Sequence, residues 1–318
     1  MSDADAATAA AISLASARKR FVGFIWAAVA VSIFSGWFVI TRFSVTRELR
    51  IWDITALRFG IGAVLLAPVL VRRRMTLTRA AWGEGLVFAM LWGMPFVLLV
   101  ALGLSLTSAA QAASIAPTLM PLFAGIFAWV FLGERPGRQR WAGYAAIFAG
   151  LCLLVLAGAA AHGPPNPAGL GALAAAAAMW AVYTLLFRKS GLTPIESAAL
   201  ICFWSAALFL PVYLVLGLSR LGHASAGEVA LQALYQGVLM SGVAIFTFNR
   251  AVSILGSSAA TAIIALLPAV ASLLAIPVLG ETPSAVECVA IAIIITGALL
   301  ASCRPGLAPD VHSQGEIP

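Results

Sequence analysis

Charged residues are scarce in this sequence. Only 10% of the 318 residues are Asp, Glu, Lys or Arg, whereas 62% are hydrophobic and the mean hydropathy is +1.02. A soluble domain of this length needs a water-exposed exterior, which so few charges cannot supply. The composition therefore excludes an ordinary soluble protein and predicts a chain that contacts lipid on most sides.

Histidine and cysteine are also sparse. The three histidines, His162, His223 and His312, fall in predicted loops or in the tail, and the four cysteines stand singly in apolar segments. The sequence has no CxxC or Cys/His spacing for a metal or a disulfide framework. It has no Ser/His/Asp or HExxH arrangement and no phosphate-binding glycine loop. We therefore expect no enzyme activity, no catalytic residue, no metal and no cofactor.

Period-two alternation is missing as well, which argues against the strands of a transmembrane β-barrel. The apolar runs are instead about 20 residues long, the length that a helix needs to cross roughly 30 Å of hydrocarbon. The sequence predicts an all-α integral membrane protein with ten transmembrane helices, over residues 21–43, 53–71, 82–104, 109–131, 138–158, 168–187, 194–217, 228–248, 257–279 and 284–303.

The two ends of the chain have a different composition. Residues 1–20 begin acidic and rich in Ala and Ser and end in three basic residues, and we expect a disordered cytoplasmic segment. The apolar run that follows is too long for the core of a cleavable signal peptide. The polar tail, residues 304–318, contains Pro and Gly and is also predicted to be disordered and cytoplasmic.

The basic character of the chain follows the predicted membrane topology. The net charge is +7 and the pI is 9.8, which by themselves are compatible with nucleic-acid binding. With the N-terminus inside, however, the inner connections hold fourteen Lys and Arg residues and the outer connections four. This bias obeys the positive-inside rule and places both termini in the cytoplasm. No basic surface with interleaved aromatics remains, so we expect no nucleic-acid partner.

The sequence repeats its landmarks after 147 residues, where LGERP ends the fourth apolar run and LGETP ends the ninth. This shift pairs Pro121 with Pro268, Gly133 with Gly280, and Glu134 with Glu281. At a shift of 144, Gly93 meets Gly237. The two halves, 21–160 and 161–303, thus hold five spans each. Because five is odd, the second half crosses in the opposite direction, which predicts two inverted five-helix repeats.

These features resemble an EamA-type member of the drug/metabolite transporter superfamily. The resemblance rests on the duplicated ten-span layout, the paired LGERP and LGETP endings, and the Pro-containing fourth and ninth spans, and it covers about residues 21–303. Within the superfamily the chain is most similar to the YddG-like amino acid exporters, whose members include exporters of aromatic amino acids. The resemblance implies an exporter of small metabolites in a bacterial inner membrane.

A polar stripe recurs in the two halves. In the fourth span, Gln111, Ser114 and Thr118 share one helical face. The shift of 147 maps these three residues, in order, onto Ser258, Thr261 and Ala265 of the ninth span. Polar groups at membrane depth favour the bundle interior or a water-filled cavity. We interpret the stripes as lining a substrate cavity. The alternative is that the hydroxyls bond to their own helices or pack between helices.

Aromatic residues are the next candidates for the cavity wall. Trp180 and Tyr183 follow a run of small residues in the sixth span. Other aromatic candidates lie in the first, third and eighth spans: Trp37, Phe38, Phe96 and Tyr235. An aromatic wall suits an amino acid side chain or a flat organic molecule, and Met120 adds an adaptable apolar surface. The competing interpretation is that these residues anchor the helices at the interface or pack in the core.

Prolines interrupt the fourth and ninth spans, at Pro117, Pro121, Pro268 and Pro277. Each proline removes a backbone donor and leaves a carbonyl free. Two interpretations stay open: free carbonyls that face the substrate, or kinks that shape the bundle and let it bend. The LGERP and LGETP motifs, with Gly133, Glu134, Gly280 and Glu281, are predicted to form the short corners after these helices.

Charges at membrane depth are rare. Four residues near span ends are candidates to meet a substrate carboxylate: Arg42, Arg58, Asn249 and Arg250. Arg58 has the alternatives of extending outward or pairing with Asp53. No Asp or Glu stands in the middle of a predicted span, so no carboxylate for proton coupling is visible.

The sequence therefore predicts a secondary transporter that exports amino acids or related small metabolites by alternating access through a central cavity. The alternative is an exporter of drugs or of other metabolites, such as sugars or nucleotide derivatives. The expected partners are a small-molecule substrate and the lipid bilayer. The sequence is compatible with a monomer.

Overall fold

The computed structural model describes residues 3–73, 77–133, 136–162, 166–187, 189–255 and 257–302. Side chains are described from residue 17 onward, apart from those at positions 110, 132, 161–162, 249, 252 and 257–263. Regular structure in these ranges is helical, and no strand occurs among the described residues.

The chain forms helices of very different lengths. In order they are α1 (Asp3–Val45), α2 (Ile51–Arg73), α3 (Arg79–Trp92), α4 (Met94–Leu106), α5 (Ala109–Leu132), α6 (Arg138–His162), α7 (Pro167–Phe187), α8 (Pro194–Val215), α9 (Ala226–Gln232), a π-helical segment (Ala233–Val243), α10 (Ala244–Leu255), α11 (Ser257–Leu279) and α12 (Ala285–Ser302).

Most of these helices match membrane dimensions. Eight helical stretches of the described chain are long and apolar enough to cross a membrane, with α3–α4 counted as one and α9 to α10 as another. Two shorter apolar stretches, Ile264–Leu279 and Ala285–Ala301, lie in the last two helices. The all-helical, multi-span character of the chain is confirmed, whereas ten crossings and cytoplasmic termini stay predictions.

The first helix begins earlier than composition suggests. It includes residues 3–20, for which the sequence predicts disorder. Alanine has the highest helix propensity, and an Ala-rich segment can continue the hydrogen-bond ladder of the helix that follows it. The predicted disordered tail, residues 304–318, lies outside the described residues.

The helices start and end where short polar and glycine signals occur. Ser108 caps α5 and Thr193 caps α8, each in a reciprocal capping box with the residue three positions later. Gly133 and Gly280 both have φ of 70°, a left-handed conformation that glycine adopts without steric cost. The glycines of LGERP and LGETP thus follow α5 and α11 with the same backbone geometry.

The third and eighth predicted spans are irregular at matched positions. Gly93, with φ of −97° and ψ of −132°, separates α3 from α4. In the second half, the π-helical segment contains Gly237, the residue that the sequence pairs with Gly93. A π-helical stretch inside an α-helix is uncommon and often marks a functional region. Both halves therefore leave the α-helical geometry in the corresponding span.

Contacts between helices recur in matched pairs. α1 packs on α11 and α5 packs on α7, while α1 also packs on α10 and α4 on α7. Likewise, α2 packs on the π-helical segment and α3 on α8. In each of these three cases, the second contact involves the helices that stand five predicted spans away from those of the first contact. The packing therefore follows the duplication that the sequence carries.

The fifth and tenth predicted spans form a tight antiparallel pair. A Cβ atom built on Gly143 of α6 would meet the backbone of Ala301 in α12, and one built on Gly150 would meet Ile294. Gly297, the counterpart of Gly150, lies against Ile147 and the carbonyl of Gly143. These small residues let the two backbones approach closely, as is common between membrane helices.

Candidate functional site

Five aromatic side chains from the two halves contact one another and are called the aromatic cluster here: Trp37, Trp92, Phe96, Trp180 and Tyr183. Trp92 stacks on Tyr183, with ring centroids 4.8 Å apart and planes 10° apart. Trp180 lies 6.1 Å from both Trp92 and Phe96. Phe96 in turn stacks on Trp37 at 6.4 Å. The structure therefore brings four aromatic candidates of the sequence together and adds Trp92; the four are Trp37, Phe96, Trp180 and Tyr183.

The break at Gly93 positions the α3–α4 side of the cluster. Trp92 ends α3 and Phe96 lies in the first turn of α4. The backbone amide of Met94 donates to Ser205 Oγ of α8 at 3.1 Å. This bond satisfies an amide at the start of α4 and ties the break to a helix of the other half.

Tyr183 also has a packing role. Its side chain is buried, and its hydroxyl oxygen lies 3.1 Å from Ser197 Oγ of α8. Its ring meets Phe88 of α3 edge-on at 5.2 Å. Tyr183 therefore fixes α7 against α3 and α8 while presenting one face to Trp92.

A buried amide network holds the other end of the aromatic cluster. The indole Nε1 of Trp37 donates to Gln236 Oε1 at 2.8 Å. Gln236 Nε2 donates to Thr41 Oγ1 at 2.8 Å and to Gln232 Oε1 at 3.1 Å. Gln232 Nε2 donates to the carbonyl oxygen of Ile40 at 2.7 Å. These bonds orient Trp37 and couple α1 to the π-helical segment.

Gln232 and Gln236 are not among the residues predicted from the sequence. A signal was present, because two amide side chains four residues apart in an apolar run share one helical face. Trp92 is also not among the predicted residues, since a lone Trp in an apolar run does not distinguish a wall residue from a packing residue.

Arg58 of α2 is adjacent to the aromatic cluster. Its guanidinium carbon lies 4.9 Å from the ring centroid of Trp37 and 5.8 Å from that of Phe59. The residue is only 8% exposed. Its Nη1 atom is buried and has no hydrogen-bond partner among the described residues. Arg58 is therefore buried rather than extended to an exposed surface, and its Nη1 is left without a hydrogen bond within the described protein.

Asp53 is not the partner of Arg58, so that suggestion from the sequence is wrong. Asp53 is fully buried and accepts from the hydroxyl of Tyr213 at 2.6 Å and from the backbone amide of Arg220 at 2.9 Å. Its other oxygen accepts from the amide of Arg50 at 2.9 Å. The carboxylate is committed to fastening α2 to the loop after α8.

The predicted polar stripe of α5 faces protein. Gln111 is the partner of Ser108 in the capping box, and its side-chain amide lies against Gly158 of α6. Ser114 and Thr118 are buried, and Thr118 Oγ1 donates to the carbonyl oxygen of Ser114. Their contact with substrate stays a prediction. The side chains of Asn249, Ser258 and Thr261, and all of Glu134, lie outside the described residues.

The other predicted residues fall on α5 and α11. Met120 is buried. The helix α5 runs without a break through Pro117 and Pro121, and α11 runs through Pro268 and Pro277. Ser272 Oγ donates to the carbonyl oxygen of Pro268 at 2.9 Å. Among the described residues the helical assignment changes at Gly93 and around Gly237, and a gating role for the prolines stays a prediction.

Glu281 of LGETP links three helix ends. Its carboxylate contacts Arg42 Nε at 3.2 Å and accepts from the backbone amide of Ala109 at 3.0 Å. Arg42 Nη1 donates to the carbonyl oxygen of Leu104 at 2.6 Å. Glu281 therefore connects the loop after α11 to the end of α1 and to the start of α5, instead of closing only its own corner.

A cavity of about 700 Å³ lies away from the aromatic cluster, and it is lined by Arg18, Lys19, Val22, Arg250, Ser253 and Ile254. Its three cations are Arg18 and Lys19 of α1 and Arg250 of α10, on the side predicted to be cytoplasmic. Of the predicted site residues it contains only Arg250. The aromatic cluster is the stronger candidate for the substrate site. Its Trp92 Nε1 and the Nη1 of the adjacent Arg58 are buried without a hydrogen-bond partner among the described residues, whereas this cavity is an open basic surface.

Comparison with known proteins identifies the family. The model of the EamA-like transporter family matches residues 21–156 and again residues 167–303. The two matches correspond to the two halves of the duplicated sequence. The chain is also similar in fold to a protein of known crystal structure, with a TM-score of 0.62, 23% sequence identity, and coverage of 88% of this chain and 96% of the other.

One curated relative has a descriptive name. A protein of Streptantibioticus cattleyicolor, named a probable terminal-alkyne amino-acid exporter, is 30% identical over 199 residues. The alignment covers 61% of this chain and 65% of the relative, so it spans slightly less than two thirds of the relative's length.

Proposed function

We propose that this chain, which belongs to the EamA-like transporter family, exports amino acids or related small metabolites across the inner membrane of a bacterium. The observation that carries the proposal is the aromatic cluster, built from α1, α3 and α4 of one half and from α7 of the other. Stacked rings offer flat apolar surfaces for an amino acid side chain. The name of the curated relative supports the same substrate class.

Alternating access is the proposed mechanism. The helix contacts recur in matched pairs, and the end of α11 lies beside the start of α5, as expected for two inverted repeats. When such repeats rock against each other, the rings between them separate and a substrate enters from one side at a time. The matched irregularities at Gly93 and Gly237 are suited to absorb this bending.

The ends of three helices meet through polar contacts at one end of the bundle. Arg42, Glu281 and the amide of Ala109 join α1, α11 and α5 there. The positive-inside bias assigns this end to the outer face. The proposed cycle therefore includes a step in which the Arg42–Glu281 contact breaks and the substrate leaves outward.

The alternative substrates are drugs or other metabolites, such as sugars or nucleotide derivatives. A buried arginine beside the aromatic cluster disfavours cationic drugs, because like charges repel most strongly where water is excluded. No observation on the described residues favours one of the remaining alternatives over amino acids.

Transport into proteoliposomes tests the proposal. Purified protein is reconstituted, and influx of labelled L-phenylalanine and L-leucine is measured with increasing substrate. We expect saturable transport that unlabelled apolar and aromatic amino acids inhibit. If no amino acid moves or competes while a sugar or a nucleotide derivative does, the amino acid proposal is wrong.

A further inference from the structure

We infer that Arg58 binds the carboxylate of the transported substrate. This inference rests on the proposed function and makes it more specific, because it requires a free carboxylate beside the side chain that the aromatic cluster receives. The names of the related proteins indicate a substrate class at most and assign no role to Arg58.

The guanidinium charge of Arg58 lies deep in the helix bundle. Arg58 is the eighth residue of α2, so a rise of about 1.5 Å per residue puts its Cα roughly 10 Å from the start of the helix. The residue is only 8% exposed. Ionisable groups at such depth are costly and are rare unless they line a substrate path or pair with another group. The position of Arg58 therefore needs a compensating partner.

The described residues supply no acidic partner for Arg58. The two ion pairs among the described residues are Arg42 with Glu281 and Arg73 with Glu196. Asp53, the nearest acid along α2, is fully hydrogen-bonded to other groups. The contacts of Arg58 are instead with the faces of Trp37 and Phe59. Stacking of this kind stabilises a cation but uses none of its N–H donors, and Arg58 Nη1 has no hydrogen-bond partner among the described residues.

Arg58 lies where the two halves meet, beside the aromatic cluster. One turn after Arg58, a Cβ built on Gly62 would lie 2.7 Å from Ser241 Oγ and 3.0 Å from Cys202 Sγ, so helices of the second half approach α2 closely here. Trp37 contacts both Arg58 and Phe96, which connects the guanidinium to the aromatic cluster. A second buried donor without a partner among the described residues, Trp92 Nε1, belongs to the same cluster.

These observations define a substrate class. A guanidinium with free N–H donors matches a carboxylate, which accepts hydrogen bonds through both oxygens. The neighbouring rings receive an apolar or aromatic side chain. The site therefore takes α-amino acids and related carboxylic acids with apolar side chains, and it discriminates against amines and amides that lack the negative charge.

The experiment compares acids with their uncharged analogues. Inhibition of labelled L-phenylalanine transport is measured with L-phenylalanine, L-phenylalaninamide, N-acetyl-L-phenylalanine and phenethylamine, in the wild type and in R58Q and R58K. R47Q is the matched control, because Arg47 is an exposed arginine that stacks on Phe43 at the end of α1. In the wild type we expect the two carboxylates to compete at least about tenfold better than the amide and the amine.

The variants separate the role of Arg58 from effects on folding. In R58Q we expect the preference for acid over amide to disappear, so that the two compete about equally. In R58K the preference should be partly retained, and in R47Q it should stay unchanged. A wild-type protein that moves phenylalanine but accepts the amide equally well overturns the inference, and so does a folded R58Q that keeps the preference. If R58Q does not fold, the wild-type panel and R58K still decide.

The same assay distinguishes the two proposals. If the wild type transports no amino acid at all, the proposed function fails. If it transports amino acids without regard to the carboxylate, the proposed function stands and only the role of Arg58 is refuted.

Discussion

Breaking the Arg42–Glu281 contact is expected to open the end of the bundle where α1 ends and α5 begins. The contact joins Arg42 Nε and Glu281 at 3.2 Å, and the side chains are 22% and 27% exposed. Because both groups are partly solvated, the ion pair is worth about 0.5–1 kcal/mol. The hydrogen bond from the Ala109 amide to Glu281 stabilises the contact by a further ~0.3–1 kcal/mol. Alanine at position 281 would lose all of this stabilisation, whereas glutamine retains part of it. We therefore expect R42Q and E281Q to favour opening by about 1 kcal/mol, roughly fivefold in population.

The thiol of Cys202 serves as the reporter of opening. It is buried in α8 near Gly62, between the two halves. With the other three cysteines changed to serine, a charged maleimide is applied to proteoliposomes from the side of Arg42, and the rate of modification is followed. Closed protein reacts slowly because the thiol is covered, so the rate follows the open population.

A double-mutant cycle tests whether the two residues act through each other. R42Q and E281Q are each expected to raise the rate about fivefold, and the double variant to be no faster than the faster single variant. High salt is expected to raise the wild-type rate and to change the variants less. Additive effects, or rates equal to wild type in both single variants, would refute a closing role for this contact. R47Q, which removes a nearby charge without touching the pair, is the control.

Two further changes test the site and the packing. Replacing Trp180 with alanine should reduce transport of aromatic amino acids about tenfold, because it opens the aromatic cluster, whereas alanine at the exposed Trp129 should leave transport rates in proteoliposomes unchanged. Leucine at Gly297 should destabilise the protein by about 1–3 kcal/mol, because its side chain would meet the backbone of α6, whereas leucine at Gly171, which has open space around its Cβ position, should not lower the midpoint of thermal unfolding in detergent.

Some features of this fold could be predicted because they are repeated along the chain. The pairing of Gly93 with Gly237 places an irregularity in the same span of each half, and the structure has one at both positions. The LGERP and LGETP motifs predict short corners after α5 and α11, and their glycines adopt the same left-handed backbone conformation. Such features depend on local conformation, which the sequence determines within a few residues.

The residues around the candidate site were harder to predict, since their roles depend on partners far along the chain. Gln236 matters because it meets Trp37, 199 positions away. Glu281 occurs in a motif that suggests a local corner, yet it contacts Arg42 and Ala109. Periodicity shows which residues share a helical face, but it does not show which helix packs on that face.

The sequence by itself determined that this protein is helical, lies in a membrane, and consists of two related halves, because hydrophobic content and repeated landmarks follow from composition and order alone. Only the tertiary structure decided that Asp53 fastens a loop and leaves Arg58 without a partner among the described residues. The physical reason is that a buried charge is satisfied by whichever groups the packed helices bring within about 3 Å of it, and that set is fixed by helix packing rather than by distance along the chain.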